Sequence, residues 1–164
     1  MKYLIDSYAW IEYFIGSEAG EKVKPIIEGL EEKLTPTICL AEIYAKTLKV
    51  EGKELAEKQR AFIKERSALT PLDEGMAIKS AEIDVAMKRK IEGWGLADSI
   101  VYATGLMKGA EIVTGDAHFK NLENVIFIKM GENPKKDKKE RFRKTLKHLR
   151  IINVYSIGSF QDGG

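Results

Sequence analysis

Four acidic residues occupy comparable places in this 164-residue chain, and their positions favour a shared chemical role. They are Asp6, Glu42, Asp98 and Asp116. The first and last follow short apolar runs typical of buried strands, and the other two lie in the expected first turns of amphipathic helices. Carboxylates that meet repel one another, by roughly 1 to 4 kcal/mol per pair at 4 Å. A bound divalent cation would relieve that repulsion, so the pattern favours a metal site.

The type of ligand narrows the choice of metal and of reaction. Carboxylate oxygens favour Mg²⁺ or Mn²⁺ over Zn²⁺, because hard cations prefer oxygen ligands. An ion held in this way polarises a phosphoryl oxygen and lowers the pKa of a bound water, so phosphodiester hydrolysis is the natural reaction. Ser7 and Thr114 stand beside the acids and could orient a carboxylate or the attacking water. Cap and turn roles explain these hydroxyls equally well, as helix-start and turn roles explain each acid taken singly.

Short apolar runs alternate with amphipathic stretches along the chain, and this alternation predicts an α/β fold. We expect a three-layer α/β/α sandwich with a central parallel sheet of four to five strands and right-handed crossovers. In an open parallel sheet the binding crevice lies beyond the carboxyl ends of the strands, which is where the acids would meet. The predicted strands cover residues 2–6, which form the central strand, 33–38, 68–72, 110–114 and 125–128.

Capping and breaking residues set the expected ends of the elements around the acids. Ser7 is a candidate cap for the first helix. Pro36 indicates that the second strand lies at an edge of the sheet or that the strand ends there. A helix then begins near Leu40 and holds Glu42 in its first turn, and a long helix covers about residues 73–92.

Charge is distributed unevenly between two parts of the chain. The whole chain has 27 basic and 25 acidic residues, a net charge of +2. Residues 132–164 hold nine of the basic and four of the acidic ones, so they carry +5 and residues 1–131 carry −3. We expect one domain over 1–131 and a basic extension over 132–164 with a helix and an edge strand. Its charges either contact a nucleic-acid backbone or form a solvated helix that binds nothing specific. The candidate contacts are Lys135, Lys136, Lys138, Lys139, Arg141 and Arg143.

Cysteine usage and apolar patterning indicate the compartment. Cys39 is the only cysteine, so an internal disulfide and a cysteine-based metal cage are both excluded. Its neighbours Ile38 and Leu40 are apolar, and we expect a buried thiol. No signal peptide precedes the first predicted strand, and no apolar run approaches membrane-spanning length. We therefore expect a cytoplasmic protein without a membrane contact.

Four short motifs, in this order, resemble the PIN-domain family, especially the VapC-type toxins of type II toxin–antitoxin pairs. The motifs are LID, AEIYA, GLADSIVYATGL and IVTGDAHF. The resemblance covers about residues 1–130 and implies a Mg²⁺- or Mn²⁺-dependent endoribonuclease. It also implies an RNA substrate, a homodimer and a partner antitoxin whose basic side chain enters the acidic pocket. The family's metal-binding and catalytic positions match Asp6, Glu42, Asp98 and Asp116, with Thr114 and Ser7 in supporting positions.

Two other functions, and two further residues, are compatible with this sequence. A phosphatase of the haloacid-dehalogenase type also uses strand-end acids, but it needs a second Asp two residues after the nucleophile, where this chain has Tyr8. A catalytically idle module would use the acids to receive a basic peptide. His118 could contact a phosphate or a metal, although packing under the Asp116 corner with Phe119 explains it better. Trp94, between two glycines, is the aromatic residue that we expect to be exposed.

Overall fold

The structure is a computed structural model that describes residues 1–128, so the predicted extension 132–164 lies outside the described residues. Its centre is one five-stranded sheet in which neighbouring strands pair in parallel. The strands are β1 (Lys2–Ile5), β2 (Glu32–Pro36), β3 (Ala68–Thr70), β4 (Glu111–Thr114) and β5 (Val125–Phe127). The helices are α1 (Ser7–Ile15), α2 (Glu18–Glu28), α3 (Thr37–Glu51), α4 (Lys53–Arg66), α5 (Glu74–Met87) and α6 (Leu96–Lys108), followed by a short 3₁₀ helix (Ala117–Phe119).

Two apolar cores cover the two faces of the sheet. Side chains alternate along a strand, so neighbours in β1 and in β4 belong to different cores. Ile5 and Val113 pack with residues of α1, α2, α3 and α4. Leu4 and Ile112 pack on the other face with residues of α6 and with Trp94. The predicted three-layer α/β/α sandwich with a parallel sheet is confirmed.

The order of the strands creates a crevice at the carboxyl end of the central strand. The sheet order is β3-β2-β1-β4-β5, so the chain builds one side of β1 first and then crosses to the other side. Ile5 of β1 pairs with Val113 of β4, and the Asp6 backbone N–H donates to the Val113 carbonyl at 3.2 Å. Adjacent strands whose following segments diverge leave an open crevice between their carboxyl ends. Asp6 follows β1 directly, and Asp116 follows β4 after one residue, Gly115.

The structure corrects the prediction around Pro36. Strand β2 lies between β1 and β3, so the edge position was wrong, whereas the strand does end at Pro36. Pro36 is also the N-cap of α3, with φ of −58°, and the helix begins at Thr37. Proline suits both places because its fixed φ fits the start of a helix and it needs no ladder donor at a strand end. Glu42 consequently lies in the second turn of α3 and not in the first.

Two other element boundaries differ from the prediction. The N-cap of α1 is Asp6, whose side chain accepts from the Ser7 backbone N–H, so Ser7 is the first helical residue rather than the cap. Helix α5 ends at Met87, and the chain then turns through residues 88–95 instead of remaining helical to about 92. Within residues 1–128, no helix has the length and apolar character needed to cross a membrane.

Trp94 is buried, contrary to the prediction, with 3% of its surface exposed. Its indole N–H donates to the Ser99 hydroxyl at 2.7 Å, and its ring packs against Phe119 with centroids 5.3 Å apart. A buried indole needs a hydrogen-bond acceptor, and Ser99 on α6 supplies one that local sequence does not reveal. The turn before α6 is therefore fastened to the core beside Asp98.

Candidate metal centre

Asp6 lies at the carboxyl end of β1, and donors from three parts of the chain hold its buried carboxylate. Oδ1 accepts from the Ser7 backbone N–H at 2.7 Å and from the Cys39 thiol at 3.5 Å. Oδ2 accepts from the Thr114 hydroxyl at 2.7 Å. Only 6% of the residue is exposed. Asp6 is therefore fixed in the crevice between β1 and β4.

The corner after β4 brings Asp116 to the same place. The buried Thr114 hydroxyl, which donates to Asp6, also accepts from the Asp116 backbone N–H at 3.1 Å. A Cβ on the intervening Gly115 would lie 2.3 Å from Cε1 of Tyr8, so only glycine fits against that ring. One hydroxyl thus connects the two aspartates. Thr114 has this structural role in addition to ending the strand.

Asp98 lies in the first turn of α6, as predicted, and meets Asp116 through a histidine. Asp98 Oδ2 accepts from the Gly95 backbone N–H at 2.9 Å and lies 3.1 Å from Nδ1 of His118. The same ring nitrogen lies 3.5 Å from Asp116 Oδ1. The His118 backbone N–H also donates to Asp116 Oδ1, at 2.9 Å. His118 packs near Trp94, yet its ring nitrogen faces the two acids.

Glu42 completes the group from the side of α3 and is the most exposed of the four acids. A carboxylate oxygen of Glu42 lies within 4.8 Å of ligand atoms of Asp6 and Cys39. The Ser7 hydroxyl donates to Asp6 Oδ1 at 3.5 Å. Burial raises the pKa of Glu42, and the nearby Ser7 hydroxyl opposes part of that rise. Ser7 also contacts Asp6 through its backbone N–H. Ser7 therefore lies between two of the predicted acids, where we expected a supporting residue.

The electrostatics of the centre are those of crowded carboxylates. Burial raises the pKa of Asp6 above its ordinary range, the hydrogen bonds from Thr114, Ser7 and Cys39 oppose this, and the charge of Asp116 adds to it. Burial also raises the pKa of Glu42, and the charges of Asp6, Asp98 and Asp116 raise it further. No lysine or arginine in residues 1–128 forms an ion pair with any of the four acids. The centre keeps uncompensated negative charge.

These residues fit a hard divalent cation. The donors are carboxylate oxygens brought together from two strand ends and two helices, and their mutual repulsion is the cost that a cation removes. Ligand atoms of Asp98, Asp116 and His118 lie within 4.8 Å of one another, as do those of Asp6, Cys39 and Glu42. The Thr114 hydroxyl connects these two groups, because it donates to Asp6 Oδ2 and accepts from the Asp116 backbone N–H. All four predicted acids therefore lie around one crevice.

Two residues of the centre were not among the predicted site residues. Cys39 was expected to be a buried thiol, and it is, but its thiol also donates to Asp6. Helix α3 begins three residues earlier than expected, which places Cys39 in its first turn, on the side that meets β1. His118 follows Asp116 by two residues, and a 3₁₀ turn returns it to the acids. The only sequence signal for His118 was this short separation from Asp116.

A match to a family model identifies the class of protein that this fold and centre define. The model of the PIN domain matches residues 3–125. The chain therefore belongs to the PIN domain family, whose members are generally nucleases that use divalent metal ions. The resemblance seen in the sequence is confirmed at the level of the family. No curated protein is similar enough in sequence to be matched.

Solved structures with the same fold come from toxin–antitoxin systems. A toxin–antitoxin complex from Klebsiella pneumoniae has a TM-score of 0.64 and 16% identity, and the match covers 79% of this chain and 99% of that one. VapBC2 from Rickettsia felis, bound to a promoter DNA fragment, has a TM-score of 0.63 and 16% identity, and the match covers 77% of this chain and 97% of that one. VapC20 from Mycobacterium tuberculosis, a toxin that cleaves the sarcin-ricin loop, has a TM-score of 0.62 and 14% identity. The match covers 74% of this chain and 95% of that one. At these identities the likeness establishes the fold alone.

Proposed function

We propose that this chain is a metal-dependent endoribonuclease and the toxin of a toxin–antitoxin pair. The proposal is supported by Asp6, Glu42, Asp98 and Asp116, which lie around one crevice in two neighbouring groups that the Thr114 hydroxyl connects. No lysine or arginine of residues 1–128 forms an ion pair with these acids. A structural role does not require four acids at one point, because each added carboxylate costs free energy. A bound Mg²⁺ or Mn²⁺ would offset the repulsion between the four carboxylates.

In this mechanism the four acids would hold the ion, with the buried Asp6 deepest in the crevice and the exposed Glu42 at its open side. When bound, the ion would polarise the scissile phosphoryl group and make an attacking water more acidic. Thr114 fixes the Asp6 carboxylate through Oδ2, which leaves the geometry of that ligand independent of the substrate. The Ser7 backbone N–H holds Asp6 Oδ1, and the Ser7 hydroxyl lies near Glu42. Thr114 and Ser7 act as positioning residues.

RNA is the substrate that the family and one structural neighbour favour. The neighbouring toxin VapC20 is described as cleaving the sarcin-ricin loop, which is a segment of RNA. The likeness to complexes of toxins with antitoxins supports a protein partner for this chain, which we expect to place a basic side chain among the acids. Homodimer formation and the RNA contacts of Lys135, Lys136, Lys138, Lys139, Arg141 and Arg143 belong to the same proposal.

Cleavage of a mixed RNA pool, with and without Mn²⁺, tests the proposal. The wild type should cut only with the metal, and Asp98→Asn or Asp116→Asn should lower the rate by roughly 10²- to 10⁴-fold, the size of effect typical of one catalytic group. Asp73→Asn is the matched control, because the Asp73 side chain caps α5 through the Met76 backbone N–H and asparagine is an equally good cap. Full activity in the Asp98 variant, or in excess EDTA, would exclude the mechanism.

An idle acidic module is the alternative, and it predicts different results. Such a module would bind a basic peptide without requiring a metal, so calorimetry with Mn²⁺ would show no binding. A toxin, in contrast, should arrest growth when it is expressed alone, and its Asp98→Asn variant should not. Equal growth with either protein, despite equal expression, would count against the toxin role.

A further inference from the structure

His118 places a ring nitrogen among the carboxylates of the proposed metal centre. Its Nδ1 lies 3.1 Å from Asp98 Oδ2 and 3.5 Å from Asp116 Oδ1. One ligand atom from each of these three residues lies within 4.8 Å of the others, which is the spacing of groups that can share one ion. The nitrogen therefore faces the same point as the two acids rather than the solvent beyond them.

Three contacts set the orientation of the imidazole. The His118 backbone N–H donates to Asp116 Oδ1, which ties the start of the side chain to that acid. The Trp94 ring packs beside the imidazole with centroids 6.2 Å apart. Gly93 has φ of +78° and passes so close that a Cβ there would lie 3.1 Å from Nε2. A ring held on the Nε2 side by the backbone keeps Nδ1 directed at the carboxylates.

We propose that His118 Nδ1 is a ligand of the ion that Asp98 and Asp116 hold, a proposal that rests on the function proposed above. The neutral ring then carries its proton on Nε2, which leaves the lone pair of Nδ1 for the metal. An imidazole ligand favours Mn²⁺, and Co²⁺ more strongly, over Mg²⁺, because affinity for nitrogen rises along the first transition row while Mg²⁺ prefers oxygen. The centre consequently selects transition-metal ions and not simply any divalent ion.

A purely positioning role makes a different prediction. If His118 only donated a hydrogen bond to Asp98, its nitrogen would keep its proton and would not bond to the metal. Its loss would then weaken Mg²⁺ and Co²⁺ binding to similar extents, since the same carboxylate would be loosened for both ions. Ion selectivity and a direct nitrogen signal therefore separate a ligand from a positioning residue.

Pulsed electron paramagnetic resonance of the Mn²⁺-loaded full chain provides the direct test. A coordinated imidazole gives nitrogen modulation, and labelling histidine with ¹⁵N must change its pattern. The chain has two histidines, so His148→Asn is the matched control for His118→Asn. We expect modulation in the wild type and in His148→Asn, and none in His118→Asn. The wild-type spectrum decides the question even if the His118 variant folds poorly.

Calorimetry supplies the second measurement and separates this inference from the proposed function. His118→Asn should weaken Co²⁺ binding by at least about 10-fold, the lower end of losses at groups that support a metal site, and should weaken Mg²⁺ binding less. Stoichiometric Mn²⁺ binding without nitrogen modulation, or equal losses for Co²⁺ and Mg²⁺, would overturn the ligand role and leave the nuclease proposal standing. No Mn²⁺ binding by the wild type would overturn both.

Discussion

Hydrogen bonds hold the Asp6 carboxylate in position to bind an ion, but burial of its charge destabilises the folded protein. The carboxylate accepts hydrogen bonds from Ser7, Cys39 and Thr114, yet burial still raises its pKa. The donors compensate for only part of the lost hydration. A buried charge kept at this cost is typical of a functional site, where stability is exchanged for binding.

Asp6→Asn is therefore expected to stabilise the metal-free protein while abolishing metal binding. A raised carboxyl pKa means that the native state holds the proton more tightly than the unfolded chain does. Wild-type stability then falls as pH rises from the ordinary value of 3.8 through the raised one, because the native state must bury the charge. Asparagine avoids this loss, so the Tm of the variant in EDTA should exceed the wild-type Tm at neutral pH.

The pH dependence provides the control for that prediction. The advantage of Asp6→Asn should shrink as pH falls toward 3.8, since both proteins are then uncharged at residue 6. Thermal unfolding with a chelator, measured from neutral to acid pH, checks both points. A variant that melts below the wild type by the same amount at every pH would mean that lost hydrogen bonds, not buried charge, dominate at this residue.

Residue identities in the centre could be predicted where they sit at the ends of elements. Asp6 and Asp116 follow apolar runs and Asp98 begins a helix, so local pattern was sufficient to place them. From the sequence, His118 is only a candidate for a phosphate or metal contact and packing explains it better, because its contact with Asp98 depends on the turn at 88–95 and on a buried Trp94. Trp94 itself was wrongly expected to be exposed, since its hydrogen bond to Ser99 is tertiary and has no local signature.

At the scale of elements, close packing of α6 against β4 sets the position of Asp98. A Cβ on Gly105 of α6 would lie 2.6 Å from Cγ1 of Ile112, so the helix approaches the strand more closely than alanine permits. Gly105→Ala should destabilise the fold by about 1–3 kcal/mol through overpacking. It should also weaken metal binding, because Asp98 moves with the helix. Denaturant unfolding and Mn²⁺ calorimetry measure the two effects.

Gly75→Ala is the matched control in a second helix. Gly75 lies in α5, and a Cβ there would make only an ordinary contact, at 3.6 Å from Asp73 Oδ1. Alanine should then be neutral or stabilising by up to about 1 kcal/mol through its helix propensity, with metal binding unchanged. Equal effects of the two substitutions would show that propensity, rather than the α6–β4 contact, controls both sites.

Elements were predicted better than their boundaries and their order. All five strands lie within two residues of the expected ends, because short apolar runs between breakers are strong local signals. The start of α3 was missed, since Pro36 serves both as the last residue of a strand and as a helix cap. The place of β2 between β1 and β3 depends on the order of strands in the sheet, which a local sequence pattern cannot specify.

At the scale of the whole molecule, the strand order and the distribution of charge along the chain both affect how RNA would bind. The sheet brings acids to the crevice beside β1, and that negative charge repels a phosphate backbone. The basic residues of 132–164, with a net charge of +5, offer a compensating attraction that we propose acts on RNA. The family match stops at residue 125, so it says nothing about this segment.

Deleting residues 132–164 should weaken RNA binding and flatten its dependence on salt. Each lost phosphate contact should reduce the slope of log K against log salt by about 0.7 for single-stranded RNA. Binding should be measured in the Asp98→Asn background, so that cleavage does not interfere. Replacing the six candidate basic residues between 135 and 143 by glutamine keeps the chain length and serves as the matched control. An unchanged salt slope in both variants would assign the segment another role.

The most direct test of the metal centre is the position of a bound ion. Anomalous diffraction from crystals of the full chain grown with Mn²⁺ locates the metal without relying on activity. We predict a peak among the carboxylate oxygens of Asp6, Glu42, Asp98 and Asp116, with bonds of about 2.0–2.5 Å as for other hard cations. Crystals at saturating Mn²⁺ that show no peak among these side chains, or show the ion elsewhere, would contradict the metal centre.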